Sequence, residues 1–270
     1  MRIPMVGSVV GLTVLLTSCS APVIQASIPS MSPPLTSAAV HQLSQPQRNA
    51  VAGPMDPDRR VGAIFLNGGT PHACTGSVVH SAGGNLVMTA AHCLTGASQI
   101  TFVPGFAGDA TPTNVWTADA VYLDPRWTAS KDPHADYAIA RVSGQGGGSV
   151  ESHVGLALTL GTAPPPGSHV TVMGYPFGVG GSPIACQAST AVTATGYPSF
   201  ACEGLVGGTS GGPWVRGTTM TGLIGGLEGG GCAENVSYSS PFDEHVTQLL
   251  ARAEAGGPGD TVPNDAADFC

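Results

Sequence analysis

From Val61 onward, short runs of apolar residues recur at intervals along the chain, with Gly, Pro, Asn or Asp between most of them. The pattern predicts strands over Val61 to Asn67, Ala73 to His80, Asn85 to Ala91, Gln99 to Val103, Val115 to Leu123 and Tyr137 to Val142. A second set covers His169 to Met173, Ala191 to Thr195, Gly211 to Val215, Met220 to Gly225 and Val236 to Ser239. Strands this short, punctuated this often, are the signature of an antiparallel barrel or sandwich. Glycine-rich Gly144 to Gly148 and the triple-proline stretch Thr162 to Gly167 mark a connection between the two sets. The period then changes. Val246, Leu249, Leu250 and Ala253 fall at helical spacing, which predicts a helix over Phe242 to Ala253 starting near Ser240-Pro241.

The two ends read differently. Arg2 precedes an apolar run from Ile3 to Leu16, too short to span a bilayer and of a length suited to a signal-peptide core. It ends in Leu16-Thr17-Ser18-Cys19, which resembles the bacterial lipobox, so residues 1–18 are expected to be a lipoprotein-type signal and Cys19 the lipidated residue. The alternative is an ordinary signal peptide cut nearby; both export the chain, to the cell surface or the medium. Residues 19–58, rich in Ser, Pro, Gln and Ala, read as a flexible tether or a propeptide. The tail, residues 255–270, is rich in Gly, Pro and Asp and is expected to be poorly ordered unless Cys270 pins it.

Composition narrows the function. With 42% apolar residues the 270-residue chain can bury a sizeable core, and 39 Gly with 23 Pro suit an all-β protein better than a helical one. A formal charge of −8 without any Lys/Arg cluster excludes nucleic acid as a partner and leaves a membrane only through an anchor at Cys19. There are seven cysteines; with Cys19 consumed by lipid, six remain, an even number suited to three disulfides in an oxidising compartment. No CxxC pair and no Cys/His cluster has zinc spacing, so neither a metal nor a cofactor is expected.

Three segments carry chemistry: Thr89-Ala90-Ala91-His92-Cys93, Asp136-Tyr137-Ala138-Ile139-Ala140 and Gly207-Gly208-Thr209-Ser210-Gly211-Gly212-Pro213. A serine is a weak nucleophile until a neighbouring base takes its proton, and neutral imidazole suits that task near pH 7. The His and Ser segments, and the order His, Asp, Ser, resemble the trypsin/chymotrypsin family of serine peptidases. The resemblance runs from about Val61 to Ala253. It implies an all-β fold of two six-stranded antiparallel barrels with a C-terminal helix: a domain over 59–254, with barrels over about 59–145 and 165–243 and a helix over 242–254. It further implies a serine endopeptidase acting on proteins or peptides, with catalytic His92, Asp136 and Ser210 and an oxyanion hole formed by the amides of Gly208 and Ser210. Asp132 lies close to Asp136 in sequence but precedes Pro133 in a turn, whereas a strand follows Asp136. The other histidines sit in no motif.

By the same resemblance Cys74 pairs with Cys93; Cys186 with Cys202 would close the hairpin that leads into the Ser210 loop, leaving Cys232 with Cys270, and the rival arrangement, as in trypsin, joins Cys202 to Cys232. The chain also departs from the family. Arg59-Arg60-Val61-Gly62 is similar to the activation site of trypsin zymogens, yet Thr209 stands where the new amine would need a carboxylate, so activity is expected not to require cutting after Arg60. The pocket-floor acid of trypsin falls near Gly204, and Thr221 to Gly225 lacks the histidine of glutamate-specific relatives. A small or apolar residue before the cut is therefore expected, although Glu203 and Glu228 lie close in sequence. Two other functions share these features: a protease-like binding protein that does not cut, and an esterase on the same scaffold.

Overall fold

The structure is a computed structural model that describes residues 50–264. Cys19 and Cys270, the signal segment and most of the tether lie outside the described residues. Among those described, no helix is long and apolar enough to cross a membrane.

Six strands close the first barrel: β3 (Val61–Leu66), β4 (His72–Val79), β5 (Leu86–Thr89), β6 (Ile100–Pro104), β7 (Trp116–Leu123) and β8 (Ala138–Gly144). They run in the order β3-β4-β5-β8-β7-β6, and β6 returns to pair with β3. All adjacent pairs are antiparallel, so alternate side chains point into the barrel. Ile64, Val78, Val87, Phe102 and Ile139 are at most 1% exposed there. Each such side chain contributes about 1.5–3 kcal/mol of burial free energy.

The second sheet has nine strands. Its framework is β10 (His169–Gly174), β11 (Ile184–Val192), β12 (Pro198–Glu203), β13 (Pro213–Arg216) and β14 (Thr219–Leu223). Short β9 (Thr159–Leu160) joins β14 and β15 (Val236–Tyr238) joins β12. Val172, Phe200, Trp214 and Cys202 form its core, with the rings of Phe200 and Trp214 5.6 Å apart. The strand expected over Ala191 to Thr195 is the end of β11 and the turn that follows. The hairpin β11–β12 extends back to Ile184 because Cys186 and Cys202 are joined in a disulfide and buried inside it.

Part of the stretch expected to be a tether is structured. β1 (Ala50–Val51) runs parallel to β12, and β2 (Gly53–Pro54) pairs with β11, so residues 50–54 cover the edge of the second sheet.

Among the described residues, three α-helices accompany the sheets. α1 (Pro125–Ser130) is capped by Asp124, which accepts from Arg126 N at 2.8 Å, and α2 (Val150–Val154) lies between the two strand sets, capped by Ser149. α3 (Glu244–Ala255) buries Val246, Leu249 and Ala253 against β7 and β8. Its cap is Asp243, whose carboxylate accepts from His245 N at 2.9 Å, rather than Ser240-Pro241. Ser240 Oγ instead donates to Pro133 O at 2.8 Å.

The tail, expected to be poorly ordered unless Cys270 pins it, is held by hydrogen bonds as far as Pro263. Asp260 N donates to Val121 O and Leu123 N to Asp260 Oδ2, both at 2.7 Å, and Arg252 pairs with the same carboxylate. Pro263 O accepts from Gly96 N at 2.8 Å. Backbone hydrogen bonds of this kind hold a Gly/Pro-rich segment without any periodic apolar pattern.

Candidate active site

His92 opens a single 3-10 turn, His92–Leu94, directly after β5. The neighbouring Cys93 is tied to Cys74 of β4 by a disulfide across 19 residues. A loop of that length stabilises the fold by about 3 kcal/mol and anchors the turn to the barrel wall. Asp136 follows the 3-10 turn Pro133–Ala135 and precedes β8, and it is completely buried. Its carboxylate gathers three donors. His92 N reaches Oδ1 at 2.9 Å; His92 Nδ1 and Gly226 N reach Oδ2 at 2.7 and 2.8 Å. Because a carboxylate only accepts, Nδ1 carries the ring proton, and Nε2 of the neutral imidazole is left as an acceptor.

Asp132 does different work: its Oδ1 accepts from His134 N at 2.9 Å and from the His134 ring at 3.0 Å, capping the short turn at the surface. His134 in turn stacks on Tyr197, ring centroids 4.3 Å apart.

The residue after Asp136 belongs to a second polar cluster. Tyr137, also buried, donates to Asp124 Oδ2 at 2.8 Å, and Arg126 Nη2 donates to the same oxygen and to the Tyr137 hydroxyl, each at 2.8 Å. Burial pushes the Asp124 carboxyl up, but the hydrogen bonds from Arg126 and Tyr137 and the Arg126 charge outweigh it and hold the group down at about 2. Burial, reinforced by the Asp124 carboxylate, pushes the Tyr137 hydroxyl well above its ordinary range.

Ser210 sits in the loop between β12 and β13, half-buried. Its carbonyl accepts from Thr75 N at 2.8 Å, and Gly211 N donates to Ile224 O at 2.7 Å. At Gly211, φ is +80°, and a Cβ would overlap Thr75 O and Thr89 Oγ1. Only glycine lets this backbone lie directly on the end of β5, next to Ala90 and two positions from His92. The Ser210 loop, the His92 turn and the Asp136 carboxylate are thus drawn to one place, where the two sheets meet.

The peptide before the serine has a fixed orientation. Gly207 O accepts from Phe177 N at 2.7 Å. In a trans peptide the C=O and N–H point in opposite directions, so Gly208 N–H faces away from Phe177. At Gly208, φ is +92°, and a Cβ would collide with Phe177 N and Tyr175 O. Among the described residues, neither Gly208 N nor Ser210 N donates to a protein acceptor. Two unspent amides flank the serine.

Thr209 is buried, with its hydroxyl donating to Val206 O at 2.7 Å and its amide to the same oxygen at 3.2 Å. Gly204, near which the acid of trypsin is expected to fall, has φ of +86° and donates its N–H to Glu234 O at 2.9 Å. The buried carboxylates among the described residues are those of Asp124 and Asp136.

The Cys74–Cys93 and Cys186–Cys202 bridges are present as expected, and the second rules out the rival Cys202–Cys232 pairing. Cys232 is a disulfide cysteine, and Cys270, its expected partner, lies outside the described residues. Cys74, His92 and Cys93 form a grouping of metal-ligating residue types, but both sulfurs are spent in the disulfide and offer no thiolate. Gly226 and Phe177, which hold Asp136 and the Gly207 carbonyl, belong to no motif; the contacts they make are between segments remote in sequence.

The family description "Trypsin-like peptidase domain" matches residues 74–225. Comparison with curated proteins finds no match. Among solved structures, the chain is similar to protease Anisep from Arthrobacter nicotinovorans, with 25% identity, a TM-score of 0.67 and coverage of 76% of this chain and 100% of the other. The thermostable serine protease AL20 from an extremophilic microorganism is also 25% identical, with a TM-score of 0.63 and coverage of 74% and 99%. A Glu endopeptidase, at 13% identity, shares the fold with a TM-score of 0.63 over 77% of this chain and 99% of its own.

Proposed function

The chain belongs to the family of trypsin-like peptidases, and from that premise we propose that it is a serine endopeptidase working through His92, Asp136 and Ser210. The observation that carries the reading is the hydrogen bond from His92 Nδ1 to the buried Asp136 carboxylate at 2.7 Å. It places the ring proton on Nδ1, so that Nε2 is the nitrogen whose lone pair accepts a proton. Ser210 Oγ attacks the substrate carbonyl carbon as its proton passes to His92 Nε2, and the carbonyl oxygen becomes an oxyanion. The amides of Gly208 and Ser210 receive that charge; losing one such donor typically costs about 3–4 kcal/mol of transition-state stabilisation. His92 then returns the proton to the leaving amine, and an acyl-enzyme ester remains on Ser210. A water molecule, deprotonated by His92, repeats the sequence and releases the acid.

A small or apolar residue before the cut follows from the segments around the serine, where Gly204, Leu205 and Val206 place no charge. Thr221 to Gly225 contains no histidine, and at 13% identity the Glu endopeptidase lends its fold and not its preference. The disulfides suit a protein that works outside the cytoplasm, with Cys19 as its lipid-bearing residue.

The test is labelling by a fluorophosphonate, followed by cleavage of a peptide library. An adduct on Ser210 that vanishes in Ser210→Ala, with peptide cleavage, is the expected result. No adduct on the wild type returns the chain to a binding role, and ester turnover without peptide cleavage makes it an esterase.

A further inference from the structure

The proposed oxyanion donors depend on peptide planes that the Ser210 loop does not fix by itself. Thr75, next to Cys74 in β4, is completely buried and makes two hydrogen bonds to that loop and a third to the segment that follows β10. Its hydroxyl donates to Gly208 O at 3.1 Å and accepts from Tyr175 N at 2.8 Å, while its amide donates to Ser210 O at 2.8 Å. Tyr175 begins the segment whose Phe177 N holds Gly207 O. His72, earlier on the same strand, secures the far part of that segment. It exchanges backbone hydrogen bonds with Gly178 at 2.8 and 3.3 Å, and its Nε2 donates to Gly180 O at 2.9 Å.

We propose that Thr75 is a positioning residue for the oxyanion site, its hydroxyl bridging the Gly208 carbonyl and the Tyr175 amide so that both peptides around Gly208 are held from the first barrel. The inference rests on the serine-hydrolase reading of Ser210. A hydroxyl is suited to the task because it donates and accepts at once. Valine has the same shape but does neither. Without the hydroxyl, Gly208 O and Tyr175 N lose their partner, and the Gly208 carbonyl is free to turn. The amide donors then move off the line to the developing charge, which matters more in the transition state than in the bound substrate.

The experiment compares wild type, Thr75→Val and Thr75→Ser, each shown by thermal melt to be folded at the assay temperature. For Thr75→Val, kcat on a cleavable peptide is expected to fall by about tenfold or more, with KM within about twofold. Affinity for a peptidyl aldehyde, which forms a tetrahedral adduct on the serine, should fall by the same factor as kcat/KM. Thr75→Ser should recover most of the loss. Should Thr75→Val fail to fold, Thr75→Ser against Thr75→Ala makes the same comparison, since these differ only in the hydroxyl. A folded Thr75→Val with wild-type kcat overturns the proposal. So does a Thr75→Ser as impaired as Thr75→Val, which would show that a hydroxyl at this position does not by itself support the site. A wild type that takes no fluorophosphonate overturns both this inference and the function it rests on; a labelled wild type with an unaffected Thr75→Val overturns the inference alone.

Discussion

Replacing Asp136 by Asn keeps the volume of a completely buried side chain and changes only which of its atoms accept. The carboxylate meets three donors: His92 N at Oδ1, and His92 Nδ1 and Gly226 N at Oδ2. An amide has a single acceptor oxygen. With its nitrogen in the place of Oδ2, it faces the Gly226 N–H and obliges His92 to accept through Nδ1, so the ring proton moves to Nε2. With the nitrogen in the place of Oδ1, it faces the His92 backbone N–H. Either way one buried donor is stranded, which costs about 1–3 kcal/mol. For a domain of this size that lowers the melting temperature by roughly 2–4 °C per kcal/mol. The first arrangement also removes the base, because an Nε2 that carries a proton cannot take one from Ser210. The expected loss in kcat at neutral pH is about ten-thousandfold, the magnitude such a tautomer change produces in this chemistry. Peptide cleavage and the rate of fluorophosphonate labelling measure the loss, with melting followed in parallel. Asp132→Asn is the control: its carboxylate caps a surface turn, and activity should stay within about twofold, as for most exposed substitutions. Asp136→Asn within tenfold of wild type, or Asp132→Asn as damaging as Asp136→Asn, would refute the assignment.

Two further outcomes follow from the same geometry. Arg60→Ala should leave peptide cleavage within about twofold of wild type: the Arg60–Asp58 ion pair at 2.5 Å lies near the surface and is worth about 0–1 kcal/mol, and the Thr209 hydroxyl is already held by Val206 O. Loss of activity in that variant would show that cutting after Arg60 matters. Asp124, held down at about 2 against an ordinary 3.8, contributes about 2 kcal/mol to stability. Because the folded-state value is the lower one, that contribution is complete above pH 4 and disappears as pH falls through 2. Urea melts of wild type and Asp124→Asn should therefore differ at pH 7 and converge toward pH 2, and a gap constant with pH would contradict the assignment.

The first barrel was legible because its strands are short apolar runs, buried along most of their length and separated by turn residues. Ile64 of β3 stands opposite Phe102 of β6, and Val78 of β4 opposite Val87 of β5, each pair buried in the barrel core. The β11–β12 hairpin was harder to read, since β11 contains Gln187, Ser189 and Thr190 among small residues and owes its extent to pairing and to the Cys186–Cys202 bridge. The strands at residues 50–54 and the ordered tail carry no periodic signal, since both are held by edge and backbone hydrogen bonds. The site divides in the same way. In the proposed mechanism His92, Asp136 and Ser210 act through side-chain chemistry and so stand in motifs, whereas Gly226 and Phe177 contribute a backbone N–H, which every residue but proline has.

Thr209 shows why the support of such a loop escapes a motif. A buried ion pair concentrates its energy in two residues, and removing one partner leaves a stranded charge that costs about 3–5 kcal/mol. Such a pair leaves a mark in sequence. The bonds here are neutral and spread out: Thr209 Oγ1 to Val206 O, Phe177 N to Gly207 O, and Thr75 N to Ser210 O. A neutral hydrogen bond contributes only about 1 kcal/mol net, so no single one decides the loop's conformation. Their acceptors are all carbonyls, available at any residue, and their donors come from three different segments. A loop held in this way is formed as the chain folds. On the proposed function it needs no new amine to complete it, so Thr209 can stand where an acid would otherwise be required, which is the expectation that Arg60→Ala tests.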